Sequence, residues 1–148
     1  MATPHDLAGT IDQVRFARWY TTELLSDIPL ERWFEMPVGA TTHVAWQVGH
    51  LAGAHYFLGL ARIRGPQLTD EELISNAFRL PFGGGSIPSA DPAAYPSAAE
   101  IRATFDRVHA QLLAELPALD PARLDEPCER PHRFANTRLR SLWWCSQH

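Results

Sequence analysis

Seven histidines stand out in a 148-residue chain that has no lysine. Three of them fall in one run, "THVAWQVGHLAGAHYFLGLA", residues 42–61. At about 100° per residue, helical spacing puts His43, Trp46, Gln47 and His50 on one face, continued by the small Ala54. Val44, Val48, Leu51 and Leu58 form the adjoining apolar face, so an imidazole-bearing strip runs beside a stripe that must pack inward. His55 falls off the strip, which predicts a surface position. Buried imidazole needs partners, and facing helices can supply them. At the other end, "SLWWCSQH" brings His148 one turn past Trp144 on a second helical pattern. If the two helices face each other, His50 and His148 can share a divalent metal. The alternative is that each is a hydrogen-bonded structural histidine.

Other candidates carry less chemistry. His109, beside Val108, reads as a boundary residue of an amphipathic helix. Cys128 and Cys145 form neither a disulfide framework nor a zinc knuckle and read as reduced thiols, Cys145 as a buried helical one. His132 precedes the last helix, and nothing in its spacing demands a role. Trp143 and Trp144 read as core, with Trp144 able to wall a pocket. Gly83-Gly84-Gly85 lacks the strand–loop–helix context of a phosphate cradle.

The elements that position these residues follow from periodicity and caps. Leu7, Ile11, Val14, Leu24, Leu25 and Ile28 predict a first helix from about Asp6 to Asp27, stopped by Pro29. Leu30–Phe34 reads as one turn. Thr41 or Thr42 caps a second helix running to about Arg64, closed by Gly65-Pro66. Thr69 to Glu72 reads as a capping box, with Leu68 as its staple, opening a short helix to about Phe78. "PFGGGSIPSADPAAYP", residues 81–96, is a long Gly/Pro-rich loop between the second and third long helices, of a length that tends to carry function. Ser97 to Glu100 caps a third long helix with Ile101, Phe105, Val108, Leu112 and Leu116 as its stripe. Asp120-Pro121 opens one turn, and a fourth helix starts at Asn136-Thr137. No segment alternates like a strand. The expected fold is all-α: a single four-helix bundle domain over residues 1–148.

Composition narrows the function. The formal charge of −4 and the absence of a basic cluster argue against a nucleic-acid or anionic-membrane partner. No apolar run approaches the ~20 residues of a membrane span. No basic stretch followed by an apolar segment opens the chain, which predicts a cytoplasmic protein.

"THVAWQVGHLA", the Gly/Pro-rich insertion, "YPSAAEIRATFDRVHAQLLAELPAL" and "LRSLWWCSQH" together resemble the DinB-like superfamily over nearly the whole chain. The resemblance implies a four-helix bundle that holds one divalent ion, zinc, nickel or iron, through three histidines. His50 matches the ligand of the second helix, within a Trp-x-x-Gly-His-Leu pattern. His148 matches the first of a His-x-x-x-His pair on the fourth. The second of that pair has no counterpart, so the chain reads as cut in mid-helix, with metal binding weak or absent and stability marginal. Restoring a histidine four residues on is expected to recover the site. His43, Trp46, Gln47 and Trp144 would line the pocket.

Relatives of this kind include transferases and isomerases that use mycothiol, bacillithiol or glutathione. A small-molecule thiol and an electrophile are the substrates this implies, with residues 81–96 as a lid. Two other readings stay open: a non-catalytic, stress-associated bundle binding a metal or small ligand, and a purely structural bundle or homodimer of it. A shared fold does not choose among them.

Overall fold

The computed structural model describes residues 1–148. Helix α1 spans Pro4–Leu25. Thr3 opens it with a complete capping box: its hydroxyl accepts the Asp6 N–H, and the Asp6 carboxylate accepts the Thr3 N–H at 2.8 Å. A single 3-10 turn, Leu30–Arg32, follows Pro29. It delivers Trp33, fully buried, whose indole N–H donates to the Ile28 carbonyl at 3.2 Å.

Helix α2 spans Val44–Tyr56. It runs without a break into a π-turn, Phe57–Ala61, and then α3, Arg62–Arg64, which Gly65 ends at φ +86°. Only glycine adopts that backbone without a Cβ penalty. The cap of α2 is neither Thr41 nor Thr42. His43 takes that place, its Nδ1 accepting the Trp46 N–H at 3.2 Å.

Two one-turn helices follow, α4 (Asp70–Leu73) and α5 (Asn76–Arg79). The capping box expected at Thr69 is not formed: the Thr69 side chain makes no capping bond, and Leu68 is exposed rather than stapled. Asp70 is drawn inward instead, accepting from Tyr56 Oη, Gln67 N–H and the guanidinium of Arg64 at 2.8–3.1 Å. Arg64 also donates to Glu115 at 2.6 Å, tying the end of α3 to the next long helix. Residues 80–96 contain two 3-10 turns, Leu80–Phe82 and Pro92–Ala94.

Helix α6 spans Ala98–Glu115 and is capped by Ser97, whose hydroxyl accepts the Glu100 N–H. Ile101, Phe105, Val108 and Leu112 from its expected stripe are completely buried. Burial of each such side chain is worth about 1.5–3 kcal/mol. Asp120 caps the turn Pro121–Arg123 as its sequence suggests. Then comes a departure: β1 (Pro127–His132) and β2 (Ala135–Thr137) pair as an antiparallel hairpin. β1 contains a register irregularity and Arg130 at φ 51°. Within β1 only Cys128 is buried, so no inside–outside alternation marks the strand in the sequence.

Helix α7, Arg138–Gln147, starts at the hairpin's end, with Thr137 accepting the Arg140 N–H as its cap. It lies against α1 and the π-turn. Leu139, Leu142 and Cys145 face inward, and Ser141 Oγ donates to the Leu58 carbonyl at 2.7 Å. The fold is therefore mostly helical. No helix is long and apolar enough to cross a membrane.

His55 also departs from expectation. It is buried, with its ring 5.9 Å from that of Phe105. Helix α2 is covered by α6 on one side and by the Phe82 turn on another. Its buried arc (Ala45, Val48, Gly49, Ala52, His55 and Tyr56) is wider than one apolar stripe.

Candidate functional site

The π-turn and α2 form one wall of a cavity of about 290 Å³, with α7 and the Phe82 turn opposite. His50 and His148 both line it. The His50 ring lies flat on the Trp46 indole, 4.8 Å between centroids at 7°. Its Nδ1 is 2.8 Å from the Phe82 carbonyl oxygen. A carbonyl can only accept, so Nδ1 carries the proton and Nε2 presents a lone pair. That Nε2 faces His148 Nε2 at 2.9 Å.

The Phe82 carbonyl is itself fixed. A Cβ on Gly49 would lie 2.5 Å from the Phe82 ring, so the glycine before His50 is what lets the turn come this close. Trp46 Nε1–H donates to Ser86 Oγ at 3.0 Å, pinning the segment further along. The orientation of His50 thus depends on packing two layers deep. Indirect support of this kind fixes tautomer and aim in metal-bound histidines.

His148 is held less firmly. It is exposed, with the Trp144 ring edge-on at 6.3 Å. Partial burial, and then the neighbouring His50, push its basicity below the ordinary histidine value. Trp144 lines the cavity and packs on its other side against His132, 5.2 Å between ring centroids. His132 does not join the His50–His148 pair, and no three His, Cys, Asp or Glu side chains are placed so that they could hold one metal ion.

The other residues expected at the pocket are placed elsewhere. Besides capping α2, His43 donates through Nε2 to the Ser89 carbonyl at 2.8 Å and packs between Phe34 and Tyr95. It braces the loop and does not line the cavity. Gln47 is exposed, donates to Thr42 Oγ1 and borders a separate groove against α1. Trp46 supports His50 from behind. Cys145 is buried, and burial pushes its thiol up to about 12, so it remains a neutral packing group.

Two cavity residues are not among those expected from the sequence: Arg62 and Arg79. Arg62 stands four residues after Leu58 inside the apolar run "FLGLARI". A charge at an inward-facing position of a buried helix is the clue that could have identified it.

No curated protein and no solved structure matches the chain. The model of the family described as the DinB superfamily does match, over residues 13–148. That span contains His50, His148 and every element that builds the cavity, and on it the chain belongs to the DinB superfamily.

Proposed function

We propose that the cavity is the site of a divalent-metal-dependent reaction, with His50 and His148 as metal ligands. One observation carries this reading: a backbone carbonyl holds the Nδ1–H of His50, so its Nε2 lone pair points at a second imidazole nitrogen 2.9 Å away. The donor set fits the first two positions around an imidazole-bound zinc, nickel or iron ion. The 148 residues supply no third side-chain donor. Water or substrate would take the remaining positions, and affinity would be modest. On the same reading α1, α2, α6 and α7 are the four helices of a bundle, and residues 81–96 are a lid across its open end.

The reaction class we favour is transfer of a low-molecular-weight thiol to an electrophilic carbon. When bound, the ion would stabilise the thiolate. The sulfur then bonds to carbon, the leaving group departs with the bonding pair, and the thiol proton passes to solvent. His50 and His148 would hold the ion, while Trp144, Phe57 and Leu58 give the electrophile an apolar wall that excludes water. The absence of Asp and Glu from the cavity lining favours a second reading, a non-catalytic metal- or ligand-binding protein.

Titration calorimetry with Zn2+ and Ni2+ tests the metal. The 148-residue chain is expected to bind one ion, and His50→Ala to lose at least tenfold in affinity. Equal affinities for the two proteins would sink the site. Turnover of a thiol and a bimane-type electrophile by the loaded chain, lost in His50→Ala, separates the enzymatic reading from the binding one.

A further inference from the structure

Arg62 and Arg79 are anomalous. Arg62 is only 7% exposed. Its Nε and Nη1, and the Nε of Arg79, are buried without a hydrogen-bond partner. Every other strongly buried cation has an acceptor: Arg64 has Asp70 and Glu115, and Arg18 has Asp106. No ion pair of the chain involves Arg62 or Arg79. A guanidinium cannot shed its proton, and an uncompensated buried charge is among the costlier features a fold can carry.

Aromatic faces hold both groups in place. The Arg62 guanidinium carbon lies 4.8 Å from the Phe57 ring centroid and 5.6 Å from that of Trp144; that of Arg79 lies 4.9 Å from Tyr56. The aromatic faces hold each guanidinium, and the nitrogens that are not buried, Nη2 of Arg62 and the two Nη of Arg79, remain for an acceptor. Both arginines line the cavity that holds His50 and His148, and both also border an adjoining groove with Glu129 and Arg130. Glu129 is exposed and pairs with neither. No Asp or Glu lines the cavity itself, which leaves water or a bound ligand as the acceptor.

We infer that Arg62 and Arg79 form a carboxylate subsite, and that the cavity takes a small molecule with a carboxylate on an apolar body. The carboxylate sits between the two guanidiniums, accepting from the Nη pair of Arg79 and from Nη2 of Arg62. The body lies along Phe57, Leu58 and Trp144, toward the imidazoles. The inference rests on reading this cavity as the substrate site, but not on the metal.

The test is calorimetry on the metal-free 148-residue chain with phenylacetate, its neutral isostere phenylacetamide, and phenyl phosphate. Phenylacetate is expected to bind at least tenfold tighter than the amide, since hydrogen bonds between charged groups are worth about that factor or more. Arg62→Met and Arg79→Met should each lose at least tenfold, and Arg62→Lys an intermediate amount, because an ammonium keeps the charge without the planar group that Phe57 and Trp144 hold. The carboxylate titration uses no metal ion, so a failed metal titration and a failed carboxylate titration are separate results.

Melting temperature guards against a structural explanation. Removing an unpaired buried charge should leave the Arg62→Met value equal or higher, whereas a structural arginine would lower it. Equal binding of acid and amide, no binding of phenylacetate at millimolar concentration, or retained binding in a destabilised Arg62→Met protein would overturn the inference. Tighter binding of phenyl phosphate than of phenylacetate would overturn the carboxylate assignment.

Discussion

At the scale of residues, the sequence separates what a side chain is from what holds it. His50 and His148 are legible because imidazole on an inward helix face needs a partner. Their proximity is readable only through the family resemblance. Arg62 and Arg79 are not legible, since an arginine in an apolar run does not say whether a carboxylate waits opposite. His43 misleads for a related reason: periodicity assigns it a face, but its backbone is extended, φ −136° and ψ 167°, so it lies just outside the helix. Gly49 tests how far the site depends on such indirect support. The Cβ of Gly49→Ala would fall 2.5–2.6 Å from three atoms of the Phe82 ring, which is itself buried. Overpacking of this kind costs about 1–3 kcal/mol. The turn should yield, carrying its carbonyl away from His50 Nδ1. We expect a lower melting temperature together with weaker metal binding, read by the same calorimetric titration. Full metal affinity in a destabilised Gly49→Ala protein would show that the Phe82 carbonyl does not orient the ligand.

Among the elements, long helices with hydroxyl or carboxylate caps are readable to within a few residues. Ser97, Asp120 and Thr137 each cap the element their sequence announces. Short elements are readable only where a proline or a cap marks them, as at Pro29 and Asp120. The hairpin buries one residue of β1, and α4 and α5 are single turns, so none has enough length for a period to show. The π-turn is invisible for another reason: it changes hydrogen-bond register without changing the apolar composition of "FLGLA". Its close contacts are specific, since a Cβ on Gly59 would lie 2.7 Å from Leu112 Cδ1 and 3.2 Å from Cys145 Sγ. Helix α7 offers the sharper test, because it alone carries His148. Thr137→Ala removes the cap that receives the Arg140 N–H at 3.3 Å. Loss of a threonine cap costs about 1 kcal/mol. The start of α7 should loosen, with a small loss of metal affinity through His148 and a smaller one of phenylacetate affinity, since Arg62 and Arg79 lie on other elements and only Trp144 is shared. A fall in both affinities by the same factor would mean that the cavity, and not the helix, had been disturbed.

For the molecule as a whole, the buried histidines set the response to acid. His55 is pushed down to about 3 by burial first, then by the positive potential of His109, Arg18 and His148. His109, half-buried on α6, is lowered to about 4 by burial and by Arg18 and Arg15, with Asp106 opposing. Neither Nδ1 has a hydrogen-bond partner. In the unfolded chain both would titrate near 6.5. Between that value and the folded one, the unfolded state binds more protons, so stability rises with pH across the window and is fully present above it. Asp6, Asp70 and Glu126 are held below their ordinary values, so their contribution is lost only at lower pH. The interval from about pH 6.5 to 5 therefore isolates the histidines, and below it carboxylates of the unfolded chain begin to take up protons as well. A proton bound by the unfolded chain but not by the folded one costs about 1.4 kcal/mol of stability for every pH unit of acidification, which makes the loss from His55 about 3 kcal/mol by pH 4. That is a large fraction of the roughly 5–15 kcal/mol that keeps a domain folded. Urea unfolding at pH 7, 5 and 4 should show the decline. His55→Gln, which keeps a polar side chain but cannot be protonated, should be less stable at pH 7 and lose much less on acidification. An identical decline in the two proteins would show that the imidazole of His55 is protonated in the folded state and that its burial does not govern the acid limit.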